Sequence, residues 1–136
     1  MSRIRVLFIC THNSARSQMA EGILNHLYGD RFEAYSAGTH PTRVNPLAIK
    51  ALKEIGIDIS HHRSTSVEEF KGSVFDVVVT VCDDAMKNCP FFPGKKVFHR
   101  SFPDPSESND IEVFRSVRDS IIEWIKDFFG SGKFDL

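Results

Sequence analysis

The sequence lacks several features that would assign it directly to a broad functional class. Its 136 residues carry a net charge of −1, so they create no broad electrostatic field for nucleic acid or an anionic membrane. Any attraction for an anion must therefore be local. No apolar run approaches the roughly 18 residues of a membrane span. The start MSRIRVLFIC also lacks the long apolar core and the cleavage site of a signal peptide. We therefore expect a cytoplasmic protein that binds neither nucleic acid nor a membrane.

Cysteine is scarce as well. The chain has three, Cys10, Cys82 and Cys89. An odd number in a chain without a secretion signal argues against the disulfide framework of a secreted protein. The cysteines and histidines also lack the regular spacing of a zinc site. In a reducing compartment, each cysteine is then either an inert core residue or a reactive thiol.

What is present fits a single α/β domain spanning residues 1–136. Hydrophobic residues make up 41% and charged residues 26% of the chain, as in ordinary globular proteins. Apolar, β-branched runs predict four strands, at 5–10, 32–38, 75–82 and 95–102. Helical spacing predicts helices at 16–28, 46–55, 83–88 and 111–129. Alternating strands and helices indicate a small parallel sheet flanked by helices, and residues 130–136 are expected to form a frayed tail.

The last predicted helix has one clearly apolar face. Its members are Phe114, Val117, Ile121, Ile125 and Phe128. We expect this face to pack on the sheet.

The carboxyl ends of the strands are where a ligand site is expected. In open parallel sheets, ligands bind in a crevice outside these ends. Cys10 and Cys82 each end a predicted strand. Two cysteines far apart in the sequence can therefore share one crevice.

The loop CTHNSAR, residues 10–16, leads from the first strand into the first helix. Backbone N–H groups of such a loop can converge on an oxyanion, and the helix dipole favours negative charge there. Arg16 adds a planar fork that suits two oxygens. The same field favours the thiolate of Cys10, which can attack the central atom of the anion, and Ser17 can hydrogen-bond the sulfur. The predicted oxyanion-binding residues are Thr11, His12, Asn13, Ser14, Ala15, Arg16 and Ser17.

The alternative for Cys10 is a buried strand cysteine with no chemical role. A cysteine followed six residues later by an arginine is common by chance. The strand before it, the helix after it and the small polar residues between them favour the reactive role.

The segment CTHNSARSQMAEG resembles the active-site signature of the low-molecular-weight protein tyrosine phosphatase superfamily, and specifically its thioredoxin-coupled arsenate reductase branch. The resemblance continues in order through YSAG, NPLAIKALKEIGIDIS, FDVVVTVC, NCP, FPDP and FRSVRDSI. It implies a four-stranded parallel sheet flanked by helices. His12 departs from the family, which often has glycine there, and Ala15 stands where a cysteine is frequent. Histidine is among the residues better tolerated at positive φ.

The resemblance implies an arsenate reductase that is a monomer without a tightly bound cofactor. Cys10 would attack arsenate, and Cys82 would attack the Cys10 sulfur and release arsenite. Cys89 would then displace Cys10 and leave a Cys82–Cys89 disulfide for thioredoxin to reduce. Asp104, in FPDPS, stands at the position of the family's general acid.

The Cys82–Cys89 pairing carries a geometric expectation. If the segment between these cysteines were helical, their Cα atoms would lie roughly 10 Å apart. A disulfide requires about 7 Å or less. We therefore expect this segment to unwind when it is oxidised.

Other functions stay open at this stage. The main alternative is a protein tyrosine phosphatase that acts through a Cys10 phosphoenzyme. Phosphatases of this fold usually have an aromatic residue after Asp-Pro, where this chain has Ser106, and the loop THPTRVNP lacks an aromatic wall. A pocket without aromatic walls favours a small inorganic anion as the substrate. Phosphatase activity is then expected only as a side reaction. A non-catalytic oxyanion or metal sensor and a general disulfide oxidoreductase are weaker alternatives, because a sensor would not need the additional thiols.

The resemblance also implies a cation site. Some reductases of this branch bind potassium near the loop, and Asn13, Glu21 and Ser36 match oxygen ligands of that site. Thr65 stands where the family supplies an aspartate. The expected potassium site therefore lacks one charged ligand.

Overall fold

The computed structural model describes residues 3–81 and 92–131. Its strands are β1 (Ile4–Ile9), β2 (Phe32–Ala37), β3 (Val77–Thr80) and β4 (Lys96–His99). Its α-helices are α1 (Arg16–Tyr28), α2 (Pro46–Lys53) and α3 (Ile111–Phe129). All strand pairs are parallel, in the order β2-β1-β3-β4. The four-stranded parallel α/β fold expected from the sequence is therefore confirmed. Cys82, Cys89 and the predicted helix at 83–88 lie outside the described residues.

The central strand β1 is buried on both faces. Val6 and Phe8 join the larger core, whereas Leu7 and Ile9 join a smaller core on the opposite face. Strand side chains alternate between the two faces of a sheet, so a continuous apolar run was the expected pattern for this strand. The position of β1 puts the loop that follows it at the centre of the sheet's carboxyl edge.

The edge strand β4 is shorter than the prediction of 95–102. Only residues 96–99 pair with β3, and Val97 is exposed. After β4 the chain turns toward α1, where the carbonyl oxygen of Phe102 accepts a hydrogen bond from Arg16. β3 is likewise shorter than the predicted 75–82, with residues 77–80 in the strand.

The apolar face of α3 packs on the larger core, and Phe129 joins its predicted members. Phe129 is fully buried and contacts the rings of Phe8 and Phe32 edge-on. Phe128, which was predicted on this face, is half-buried, packs against the same core and stacks on Trp124. Residues 128 and 129 follow Ile125 by three and four positions, so both lie on its side of the helix.

The ends of α1 and α2 differ in how they are capped. Asn45 caps α2 by accepting a hydrogen bond from the Leu47 N–H at 2.9 Å. Ala15, the residue before α1, has no polar side chain, so a ligand can take the place of a cap there. α2 ends at Lys53, before the predicted Ile55. Among the residues described, no helix has both the length and the apolar character needed to cross a membrane.

Candidate active site

The loop after β1 forms a cradle at the middle of the sheet edge; we refer to residues 10–17 as the anion cradle. The Cys10 N–H donates to the carbonyl oxygen of Ala37 at 3.2 Å, and the side chain is only 2% exposed. On the other side, the Val81 N–H donates to the Ile9 carbonyl oxygen at 2.9 Å. The residue before Cys82 therefore lies beside the residue before Cys10.

The outer side of the cradle is held by residues 40–45, which we call the strap. The hydrogen bonds run from His40 N to Thr11 O (2.9 Å), from Thr42 N to His12 O (3.2 Å) and from Asn45 N to Ser14 O (3.0 Å). In a trans peptide, the next N–H points opposite to the carbonyl. The N–H groups that follow these carbonyls therefore point away from the strap, as an anion site requires.

Gly38 allows the chain after β2 to pass close to the cradle. A Cβ atom at this position would lie 2.5 Å from the Thr11 carbonyl oxygen and 2.8 Å from that of Cys10. Both contacts are with backbone, which cannot move aside without opening the loop. The glycine of the YSAG segment is thus part of the structure of the site.

Asn13 is the strained residue of the cradle. It has a φ of 49° and is fully buried, and asparagine is one of the residues that tolerate this region best. The sequence prediction considered positive φ at His12, but the structure has it at Asn13. The Asn13 Oδ1 atom accepts from the Thr65 N–H at 2.8 Å and from Gln18 Nε2 at 2.9 Å. These bonds hold the loop in its strained conformation.

Asn13 also orients the hydroxyl group beside the Cys10 sulfur. Its Nδ2 donates to Ser17 Oγ at 2.8 Å, and Ser17 Oγ lies 2.9 Å from Cys10 Sγ. A thiolate sulfur can only accept, so the Ser17 hydroxyl is the donor in this contact when Cys10 is ionised. A hydroxyl donor stabilises the charged form of a thiol, which is the nucleophilic form.

Arg16 and Asp104 complete the side-chain groups of the site. Arg16, 4% exposed, donates from Nη1 to the Phe102 carbonyl oxygen at 3.3 Å. Its Nη2 lies 3.4 Å from Asp104 Oδ2. The other carboxylate oxygen, Oδ1, accepts from the Ser106 N–H at 2.9 Å. The structure thus brings Cys10, Arg16, Ser17 and Asp104 together.

A second polar cluster lies behind the cradle, and sequence reasoning found only part of it. We call Gln18, Glu21, Ser36 and His62 the Glu21 cluster. Gln18 Oε1 lies 3.0 Å from His62 Nδ1, and Ser36 Oγ donates to Glu21 Oε1. His62 Nε2 lies 3.5 Å from Glu21 Oε2. Gln18, in the first turn of α1, is fully buried and therefore needs partners, but its burial is not visible in the sequence.

Burial shifts the protonation of two members of this cluster. Desolvation raises the pKa of Glu21 to about 7, against the smaller opposing effect of the Ser36 hydrogen bond. Desolvation also lowers the pKa of His62 to about 4, and the neighbouring His61 adds to this effect. Burial therefore disfavours the charged form of both groups.

The residues expected to bind potassium fit that ion only in part. Asn13 Oδ1 already accepts two hydrogen bonds, which occupy its two lone pairs. Thr65 offers a hydroxyl group that points to the Arg63 carbonyl oxygen at 3.3 Å. Glu21 is then the single carboxylate among the expected ligands. Potassium binding stays a prediction, which turnover in potassium chloride and in choline chloride would test.

Comparison with known proteins identifies the family. Residues 5–133 match the model of the low molecular weight phosphotyrosine protein phosphatase family. The chain belongs to this family. Arsenate reductase 1 of Staphylococcus epidermidis is 48% identical to the chain over 130 residues, which cover 94% of this chain and 97% of that protein. The resemblance seen in the sequence is confirmed.

Solved structures agree with this assignment. An arsenate reductase in the phosphate-binding state matches with a TM-score of 0.83 and 32% identity, over 94% of this chain and 98% of that chain. A thioredoxin-dependent arsenate reductase of Corynebacterium glutamicum matches with a TM-score of 0.69 and 32% identity. That match covers 95% of this chain and 63% of the other.

Proposed function

We propose that the chain is an arsenate reductase in which the Cys10 thiolate attacks arsenate held in the anion cradle. The observation that carries this proposal is the buried Cys10 sulfur with the Ser17 hydroxyl 2.9 Å away. Arg16, at the first position of α1, adds a positive charge to the same loop. Similarity to arsenate reductases along 94% of the chain supports arsenate as the oxyanion.

The proposed reaction transfers two electrons from thiols to arsenic. Cys10 forms a sulfur–arsenic bond while one arsenate oxygen leaves as water, with a proton from Asp104. Cys82 then attacks the Cys10 sulfur, and the electrons of the sulfur–arsenic bond reduce arsenic(V) to arsenite. Cys89 attacks Cys82 and restores the Cys10 thiolate. The product is a Cys82–Cys89 disulfide, so the cycle requires no resident cofactor.

We propose thioredoxin as the protein that reduces this disulfide, in the cytoplasm. The similarity to a thioredoxin-dependent arsenate reductase supports this choice. A reducing compartment also fits a chain with three cysteines, since dithiol reductants maintain free thiols there.

A phosphatase is the second candidate, because the family model that matches the chain carries that name. Cys10, Arg16 and Asp104 would suffice for a phosphoenzyme and its hydrolysis by water. However, Ser106 supplies no aromatic wall for a phenol ring. We therefore propose phosphatase activity only as a side reaction.

The test is NADPH consumption with thioredoxin and thioredoxin reductase, with and without arsenate. We expect arsenate-dependent turnover that Cys89→Ala abolishes, while the same variant still hydrolyses an aryl phosphate as fast as the wild type. The chain would instead be a phosphatase if two results were obtained together. These are no arsenate-dependent turnover, and rapid aryl-phosphate hydrolysis that Cys89→Ala does not change.

A further inference from the structure

His12 lies at the rim of the anion cradle and joins it to the strap by its side chain. The exposed imidazole Nδ1 lies 3.1 Å from the His40 carbonyl oxygen. The carbonyl oxygen can only accept, so Nδ1 carries the proton of this hydrogen bond. A glycine at this position could not form this bond.

The backbone of His12 is held at the same place. Its carbonyl oxygen accepts from the Thr42 N–H at 3.2 Å and from Ser64 Oγ at 2.9 Å. Ser64 Oγ in turn accepts from the Thr42 N–H at 3.1 Å. Three chain segments therefore meet at His12, and its side chain adds a further bond to those of the backbone.

We propose that His12 is a positioning residue that holds the anion cradle in its binding conformation before the anion arrives. The N–H groups after Thr11 and His12 point inward only while the carbonyls stay bonded to the strap. The measured affinity for an anion is the intrinsic affinity reduced by the fraction of molecules in the competent conformation. A bond that raises this fraction tightens anion binding without touching the anion.

The proposal depends on the proposed function only in taking arsenate as the substrate. Its first test therefore measures the binding of inorganic phosphate, which does not require arsenate turnover. Phosphate bound in the cradle protects Cys10 from iodoacetamide, and mass spectrometry of the Cys10 peptide follows the alkylation rate. We expect His12→Ala to weaken phosphate binding about fivefold, equivalent to ~1 kcal/mol, the typical contribution of one hydrogen bond. In the arsenate assay, KM should rise by the same factor while kcat stays within about twofold.

Two substitutions distinguish positioning from direct contact. The amide nitrogen of asparagine lies as far from Cβ as Nδ1 does, so His12→Asn should restore binding to within about twofold of the wild type. His12→Gln places its amide nearer the position of Nε2 and should bind phosphate as weakly as His12→Ala. His26→Ala, the loss of an exposed histidine on α1, should leave both constants unchanged.

Several results would overturn the proposal. They are unchanged phosphate binding in His12→Ala, rescue by glutamine but not asparagine, and a fall in kcat with constant KM. If no variant reduces arsenate but phosphate binding still follows the expected order, the positioning role is supported and the proposed function fails.

Discussion

The anion cradle and the Glu21 cluster are connected through Asn13, yet a negative charge is favoured in the first and disfavoured in the second. In the cradle, the inward N–H groups and Arg16 favour a negative charge supplied by a ligand. In the Glu21 cluster, the side chains bond to one another and to the loop. Desolvation dominates there, and it raises the pKa of Glu21 to about 7.

The comparison shows that burial alone does not determine whether a charge is tolerated. Asn13 connects the two regions, because Oδ1 accepts from Gln18 and Nδ2 donates to Ser17. The Glu21 cluster supports the strained loop, and the loop presents its inward N–H groups to the ligand. Changes in the cradle should therefore affect turnover, and changes in the cluster should affect stability and its pH dependence.

Replacing the nucleophile should have the largest effect on the cradle. Cys10→Ser removes the thiolate, and a serine hydroxyl without a base is a poor nucleophile. We expect arsenate turnover to fall by at least about 10⁴-fold, as when a nucleophile is removed from other enzymes. Phosphate binding, measured by calorimetry, should stay within about threefold, because the N–H groups and Arg16 remain. Substantial residual turnover would exclude Cys10 as the attacking group.

The proposed acid should be next in importance. Asp104→Asn keeps an oxygen that can accept from the Ser106 N–H but removes the acidic proton. We expect kcat to fall by about 10³-fold, within the range for general acid catalysis, with a smaller effect on KM. Asp30→Asn, at an exposed position, is the matched control. If Asp104→Asn lowers kcat no more than the control does, proton transfer by Asp104 is not part of the reaction.

The guanidinium geometry should matter somewhat less. Arg16→Lys keeps the charge but loses the fork that reaches the Phe102 carbonyl oxygen and Asp104. We expect kcat/KM for arsenate to fall by about 10²-fold, as when one preorganised donor is lost. Arg43→Lys, on the exposed strap, should have no effect. Equal losses in both variants would show that the fork of Arg16 has no special role in binding the anion.

The two regions also differ in how far the sequence predicted them. The cradle is contiguous, so Cys10, Arg16 and the strand and helix around them could be recognised from one short segment. The Glu21 cluster depends on contacts such as that of Gln18 with His62, which are 44 positions apart. The strap could likewise not be predicted from the sequence, because it binds through backbone donors such as the Thr42 N–H, which almost every residue type has. Positive φ was considered at His12, whereas the structure has it at Asn13, whose side-chain partners stabilise it.

The smallest expected effect concerns the Glu21 cluster and appears as a pH dependence of stability. The pKa of Glu21 is about 7 in the folded chain and 4.5 as the reference for the unfolded chain. Between these values the folded chain holds the additional proton, so stability decreases as pH rises. At 1.36 kcal/mol per pH unit, the loss amounts to about 3 kcal/mol. His62 acts in the opposite direction, because its pKa falls from 6.5 to about 4 and stability decreases as pH drops through that interval.

Glu21→Gln should remove one of these two effects and reveal the other. We expect urea unfolding to give a variant more stable than the wild type by up to about 3 kcal/mol at about pH 8, where the wild-type carboxylate is charged. The difference should vanish near pH 4.5, where the wild-type side chain is neutral like glutamine. The variant alone should then lose stability steadily from pH 6.5 toward 4, because His62 is the one of these two cluster groups that still titrates. A stability gain that is the same at all pH values would mean that packing, rather than the cost of a buried carboxylate, distinguishes this cluster from the cradle.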